Sequence, residues 1–215
     1  MNAPPRLVVD IAADFVCPWC YIGLRSFMAA RNDLAADYEV VARFRAYQLG
    51  PETPEEGVDR EAYYQMRFPD PEFRAESRKR LVASAAAAGF DFDPSIPKRL
   101  PNTLKAHTVL RAAHFEGAHE TAALSFYAAY WERGADLGDD ETLVSQAAAA
   151  GMNETAARKA LASVESRNET LAEARAMIQA GVQGVPTFIV NERTGFSGAL
   201  PPAALSAALR KSVGA

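Results

Sequence analysis

Apolar and polar positions change their spacing three times along this chain. Arg6–Ala12 (RLVVDIA) is a short, β-branched apolar run, the pattern of a buried strand. Residues 21–35 (YIGLRSFMAARNDLA) switch to helical spacing, with Ile22, Phe27 and Leu34 on the core side. Tyr38–Leu49 alternates in part, with Val41, Phe44 and Tyr47 prominent, and predicts a second strand. Strand, helix and strand in this order fit a right-handed parallel crossover. Gly50–Asp59 (GPETPEEGVD) breaks the pattern and predicts a boundary loop.

From Arg60 to about Glu165 the spacing is helical throughout. Alanine runs at Ser84–Ala88 and Ala147–Ala150 predict close helix–helix contacts, and the run Arg74–Arg80 a solvated helix face. Tyr63, Tyr64, Phe68, Phe126, Tyr127 and Trp131 read as core. Gly151 should end one helix and Asn153 cap the next. A helix over 166–180 leads to a strand TFIVN, a turn ERTG and a second strand GFSGA. Pro201–Pro202 can open a last helix, with Leu205 and Leu209 one turn apart on its buried face. Sheet elements at both ends and helices between them predict an α/β fold, one sheet built from both ends and covered by a helical insertion.

Composition narrows the function without fixing it. The chain has 215 residues, 49% of them apolar, and a net charge of −4. No basic footprint marks a nucleic-acid partner, and no apolar run is long enough to span a bilayer. The N-terminal residues lack the charged start, apolar stretch and cleavage site of a secretory signal, so the expected location is cytoplasmic.

The only two cysteines, Cys17 and Cys20, stand in DFVCPWCYIG. In a reducing compartment, such a pair points to redox chemistry or metal binding. Zinc needs four ligands, and there is no second cysteine pair. His107 and His114 lie about 10 Å apart along one helix and cannot share an ion there. No metal is therefore expected.

With Pro18 at the first helical position, Cys17 sits at the positive end of the helix, where a thiolate is stabilised. Its pKa should fall below the free value of about 8.5. Trp19 adds no charge, so the thiolate should be less extreme than in the strongest oxidants, at about 3.5. Cys20, nearly one turn on, should be the more buried thiol that resolves a mixed disulfide. Pro186 in GVPTFIV suits a cis bond after Val185, whose N–H and C=O could then pair with an extended partner beside the sulfurs.

DFVCPWCYIG, followed by PNTLKAHTVLRAAHFEG, GVQGVPTFIVN and FSGALPP, resembles the DsbA-like branch of the thioredoxin superfamily, and most closely its FrnE-like dithiol oxidoreductases. The resemblance spans nearly the whole chain. It implies a thioredoxin fold, β-α-β then β-β-α with a mixed central sheet, formed by residues 1–57 and 166–215. Residues 58–165 would then be a large all-helical insertion. It also implies Cys17 as nucleophile, Cys20 as resolving thiol and Pro186 as the cis proline. 2-Hydroxychromene-2-carboxylate isomerases and kappa-class glutathione transferases form a sister branch that typically carries serine at the first cysteine. A glutathione-dependent isomerase or transferase is therefore the alternative. The partners implied are protein or small-molecule disulfides and thiols, with no bound cofactor and glutathione as a candidate co-substrate. The family also leaves room for a homodimer.

Around the thiols, Pro18, Trp19 and Val185 are candidate substrate contacts. Asn102 and His107 open a helix that in this family faces the site, although His107 on an apolar helix face also reads as a packing residue. Asp14 could shuttle a proton for Cys20, cap the helix or simply be solvated. Asp10 could accept a proton only if its strand turns it inward.

Overall fold

A computed structural model describes residues 4–213. Strand β1 (Arg6–Ala13) runs into helix α1 (Pro18–Leu34), which returns to strand β2 (Glu39–Ala46). The two strands pair in parallel, Asp10 opposite Arg43 and Ile11 opposite Phe44. At the far end, β5 (Thr187–Val190) pairs antiparallel with β1, and β6 (Thr194–Ser197) with β5. The sheet order is β2-β1-β5-β6, and α9 (Pro202–Val213) closes the chain. This is the mixed sheet of a thioredoxin fold.

One face of the sheet carries the main core. Val9, Ile11, Phe188 and Val190 are sealed there with Phe27 of α1 and Leu205 and Leu209 of α9. Phe27, Phe188 and Phe196 stack in sequence across it. Complete burial of such side chains contributes roughly 1.5–3 kcal/mol each. Helix α8 (Val164–Gln179) covers the other side, where its Glu173 meets Arg45 of β2 at 3.1 Å.

The inserted helices are α2 (Arg60–Arg67), α3 (Pro71–Ala87), α4 (Leu104–Phe115), α5 (His119–Arg133), α6 (Asp140–Ala149) and α7 (Glu154–Ala162). Their ends follow local chemistry. Asp59, Asp70, Asp139 and Asn153 each accept a hydrogen bond from a first-turn N–H. Ala106, Ala113, Ala122, Ala129 and Ala147 are fully buried, which lets α4, α5 and α6 approach closely.

Four expectations change. Strand β2 ends at Ala46, because the chain then turns in to meet Asp14 through the Leu49 N–H. The boundary loop ends in a strand, β3 (Val58–Asp59), paired antiparallel with β4 (Arg99–Leu100), so residues 88–103 are not helical. Helix α8 starts at Val164, capped by the Ser163 hydroxyl. The hairpin turn falls at Asn191 and Glu192, with φ of 49° and 59°, so β6 begins at Thr194. Asn191 is fixed there because its amide oxygen accepts from the Val8 N–H and its own N–H donates to the Val8 carbonyl.

Candidate active site

Cys17 is the N-cap of α1, with extended backbone (φ −84°, ψ 114°), and Pro18 fills the first helical position. A proline there removes a donor that had no partner and keeps the helix from extending backward. The carbonyl of Cys17 accepts from the Cys20 N–H at 3.1 Å and the Tyr21 N–H at 3.3 Å, which starts the helix. The two cysteines are free thiols, 4% and 1% exposed. The Cys17 side chain caps no amide of α1. It donates instead to the Val185 carbonyl, at 3.7 Å.

Val185 comes from the other end of the chain. The Val185–Pro186 bond is cis. Its loop is pinned on both sides: the Gly198 N–H donates to the Pro186 carbonyl at 2.8 Å, and the Thr187 hydroxyl to the Gly184 carbonyl at 2.6 Å. Gly23 of α1 faces Pro186 so closely that a Cβ there would lie 2.8 Å from its Cγ.

Burial raises the Cys20 thiol well above its ordinary value, and the hydrogen bond and charge of Cys17 add to this. The backbone amide of Asp14 acts the other way. Cys20 therefore holds its proton near neutral pH. The phenol of Tyr127 is raised too, by burial first and then by the charges of Cys20, Cys17 and Asp14.

Helix α5 fixes the loop that carries the motif. The Tyr127 hydroxyl donates to the Asp14 carbonyl at 3.2 Å, and the Trp131 indole N–H to the Phe15 carbonyl at 2.9 Å. The Phe15 ring packs against His107, Phe126 and Tyr127, with centroids 4.8, 5.6 and 4.9 Å away.

The remaining predicted residues divide. Asp14 is sealed beside the thiols; its carboxylate accepts from the Leu49 N–H at 2.7 Å and faces His107 at 3.6 Å. It is neither a helix cap nor a solvated loop acid. Pro18 and Val185 are half-buried at the motif, and Trp19 is half-buried against the core rather than exposed.

Asp10 is corrected. The strand turns it onto the arginines of β2, where both carboxylate oxygens take guanidinium bonds: Arg43 at 2.8 and 2.5 Å, Arg45 at 2.7 Å. Its hydrogen bonds go to guanidinium groups and none to a thiol. Asn102 is likewise occupied. Its amide accepts from Gln48 and the Leu104 N–H and donates to the Thr53 carbonyl, tying the loop after β2 to the start of α4. It lines a separate cavity with Glu55 and Lys105.

The aromatics of α2 have the composition of a core, yet that helix buries no residue completely. Tyr63, Tyr64 and Phe68 instead line a cavity of about 190 Å³ with Asp14, Val16 and Leu49. Burial raises the Tyr64 phenol, and the charge of Cys17 reaches it. An aromatic cluster in a helix with charged residues on every side was the available signal. Among the described residues, no group of three or more His, Cys, Asp or Glu could hold a metal ion, and no helix is long and apolar enough to cross a membrane.

Residues 8–210 match the family described as DSBA-like thioredoxin domain. The chain belongs to the DsbA-like thioredoxin family. Among solved structures, a probable DsbA oxidoreductase from Streptomyces coelicolor is 28% identical, with a TM-score of 0.85 over 97% of this chain and 91% of its own. A 2-hydroxychromene-2-carboxylate isomerase is 20% identical, with a TM-score of 0.66 over 96% of both chains. The cytosolic disulfide reductase DsbM from Pseudomonas aeruginosa, solved with glutathione, is 16% identical, with a TM-score of 0.67 over 97% of this chain and 100% of its own. The last two share the DsbA-like fold with this chain. No curated protein sequence matches it.

Proposed function

We propose that this DsbA-like protein is a cytosolic thiol–disulfide oxidoreductase that works through a mixed disulfide. Cys17 attacks a partner disulfide, its sulfur bonds to one partner sulfur, and the other leaves as a thiolate. Cys20 then attacks Cys17, an S–S bond forms between them, and the remaining partner thiolate is released. The reverse sequence passes the disulfide to a reduced partner. Val185, Pro18 and Trp19, half-buried beside the buried Pro186, form the surface that receives the partner, an extended chain pairing with the Val185 backbone.

The observation that carries this reading is the Cys17 thiol at the start of α1, 3.7 Å from the Val185 carbonyl, with a more buried thiol one turn behind. Glutathione is the proposed co-substrate; the glutathione-bound DsbM of the same fold supports it.

The 2-hydroxychromene-2-carboxylate isomerase fold neighbour favours a second reading, a glutathione-dependent isomerase or transferase. Cys17 counts against it, since a thiol stands where that branch typically carries serine. Turnover separates the two. Insulin reduction with glutathione as reductant should proceed catalytically and stop in both Cys17→Ser and Cys20→Ser. Catalysis that survives Cys20→Ser and leaves insulin untouched would favour the isomerase reading.

A further inference from the structure

A cavity of about 180 Å³ lies between β2, α4, α5 and α8. None of its lining residues is a thiol or belongs to the loop of Pro186. It gathers all three histidines of the chain and three arginines, Arg43, Arg45 and Arg111. Glu173 is the one carboxylate in its wall, and Arg45 holds it at 3.1 Å. Phe44, Ala46, Leu110 and Phe115 complete the lining, and the cavity reaches the surface at Phe115, which is 75% exposed.

The arginines are only partly engaged. A guanidinium carries five N–H donors and accepts nothing. Arg43 uses Nε and Nη2 on Asp10 and Glu192, Arg45 uses Nε and Nη1 on Asp10 and Glu173, and Arg111 uses Nη1 on Glu169. Among the described residues, no protein atom accepts from Nη1 of Arg43, Nη2 of Arg45, or Nε and Nη2 of Arg111. Asp10, Glu169 and Glu192 pair with these arginines but do not line the cavity. Its wall therefore presents three guanidinium groups against a single carboxylate.

The histidines sense the same imbalance. The rings of His114 and His119 meet edge to face with centroids 5.3 Å apart, and His119 meets Phe44 in the same way at 5.7 Å. Burial lowers His119 to about 4, and the charges that add to this are those of His114 and Arg45, both positive. The imidazole stays neutral near pH 7 because cations already crowd it. An anion among these groups would offset them.

We propose that this cavity binds a small organic anion, an oxyanion group such as a carboxylate, sulfonate or phosphate carried on an apolar or aromatic body. The oxyanion takes the unused guanidinium donors of Arg43, Arg45 and Arg111, whose planar forks match such groups. The body lies against Phe44, Leu110 and Phe115. The site is separate from the dithiol and stands or falls independently of the exchange reading.

Histidine ring resonances in NMR test this, because the chain has only three to follow. The probe is benzenesulfonate, which keeps its charge across the whole pH range used. Added to the wild type, it should move the His114 and His119 signals saturably and raise the His119 midpoint from about 4 by about one pH unit. Methanesulfonate, the same head group without the ring, should bind about tenfold more weakly. Benzyl alcohol, the ring without the charge, should leave both signals in place. Arg111→Gln should weaken benzenesulfonate binding about tenfold. Absence of a saturable shift in the wild type would overturn the site, and that measurement needs no substitution. An equal response to benzyl alcohol would reduce it to an apolar cavity, methanesulfonate binding as tightly as benzenesulfonate would remove the organic body, and unchanged affinity in Arg111→Gln would remove the guanidinium contact; each of these contradicts the proposal.

Discussion

Gly23 lies where α1 passes Pro186, and no side chain fits between them. A methyl group at this position would sit 2.8 Å from the proline ring, closer than real carbon contacts come. Gly23→Ala must therefore push the loop holding Val185 away from Cys17. Glycine to alanine inside a helix ordinarily stabilises by about 0.5–1 kcal/mol. Here we expect the opposite, a loss of about 1–3 kcal/mol in chemical denaturation together with slower disulfide exchange. A more stable and fully active variant would show that the contact is dispensable. At the thiols, Cys17 is 4% and Cys20 1% exposed, and burial raises the Cys20 thiol. Iodoacetamide at neutral pH should modify Cys17 first, with Cys20 following only on unfolding. Equal labelling, read by peptide mass, would remove the asymmetry on which the exchange depends.

At the level of elements, α5 does work that its sequence only partly announces. Trp131 is fully buried, as its apolar surroundings suggest, but its N–H also holds the Phe15 carbonyl at 2.9 Å, across 116 positions of chain. Trp131→Phe leaves that carbonyl without its partner. The expected cost is about 2 kcal/mol, measured by denaturation, and a loss below 0.5 kcal/mol would mean that another donor takes its place. The elements that the sequence displays well are those whose signal is local. Pro18 starts α1, Asn153 caps α7, and Leu205 and Leu209 mark the buried face of α9. What it hides depends on partners far along the chain. The phase of β1 became visible only with Arg43 and Arg45 beside Asp10. The short β3–β4 pair has too few residues to show an alternation. Tyr63, Tyr64 and Phe68 have the composition of a core but lie where α2 borders a cavity. The thiol pair and Pro186 were legible because their chemistry is written in short motifs. The facing of Asp14 and His107 was not, because no spacing rule links the two positions.

For the whole molecule, acid is the informative perturbation. Burial, with the charges of His114 and Arg45, lowers His119 from 6.5 to about 4. Above pH 6.5 the imidazole is neutral in both the folded and the unfolded chain. As the pH falls towards 4, the unfolded chain takes up a proton that the fold refuses, so stability present above 6.5 is lost through this window. The loss attributable to His119 is about 3 kcal/mol at most. His119→Gln should show a shallower decline of denaturation midpoint between pH 6.5 and 4. An unchanged decline would place the acid sensitivity elsewhere.

All of these features serve one claim, that a partner's sulfur becomes bonded to Cys17 and is then displaced by Cys20. The most direct measurement is intact-protein mass after exposure of reduced Cys20→Ser and Cys17→Ser variants to glutathione disulfide. The account predicts a gain of one glutathionyl group on Cys17 in the first variant, stable until a reductant is added, and none in the second. An adduct on Cys20 in Cys17→Ser with Cys17 unmodified in Cys20→Ser, or no adduct in either variant, would contradict it.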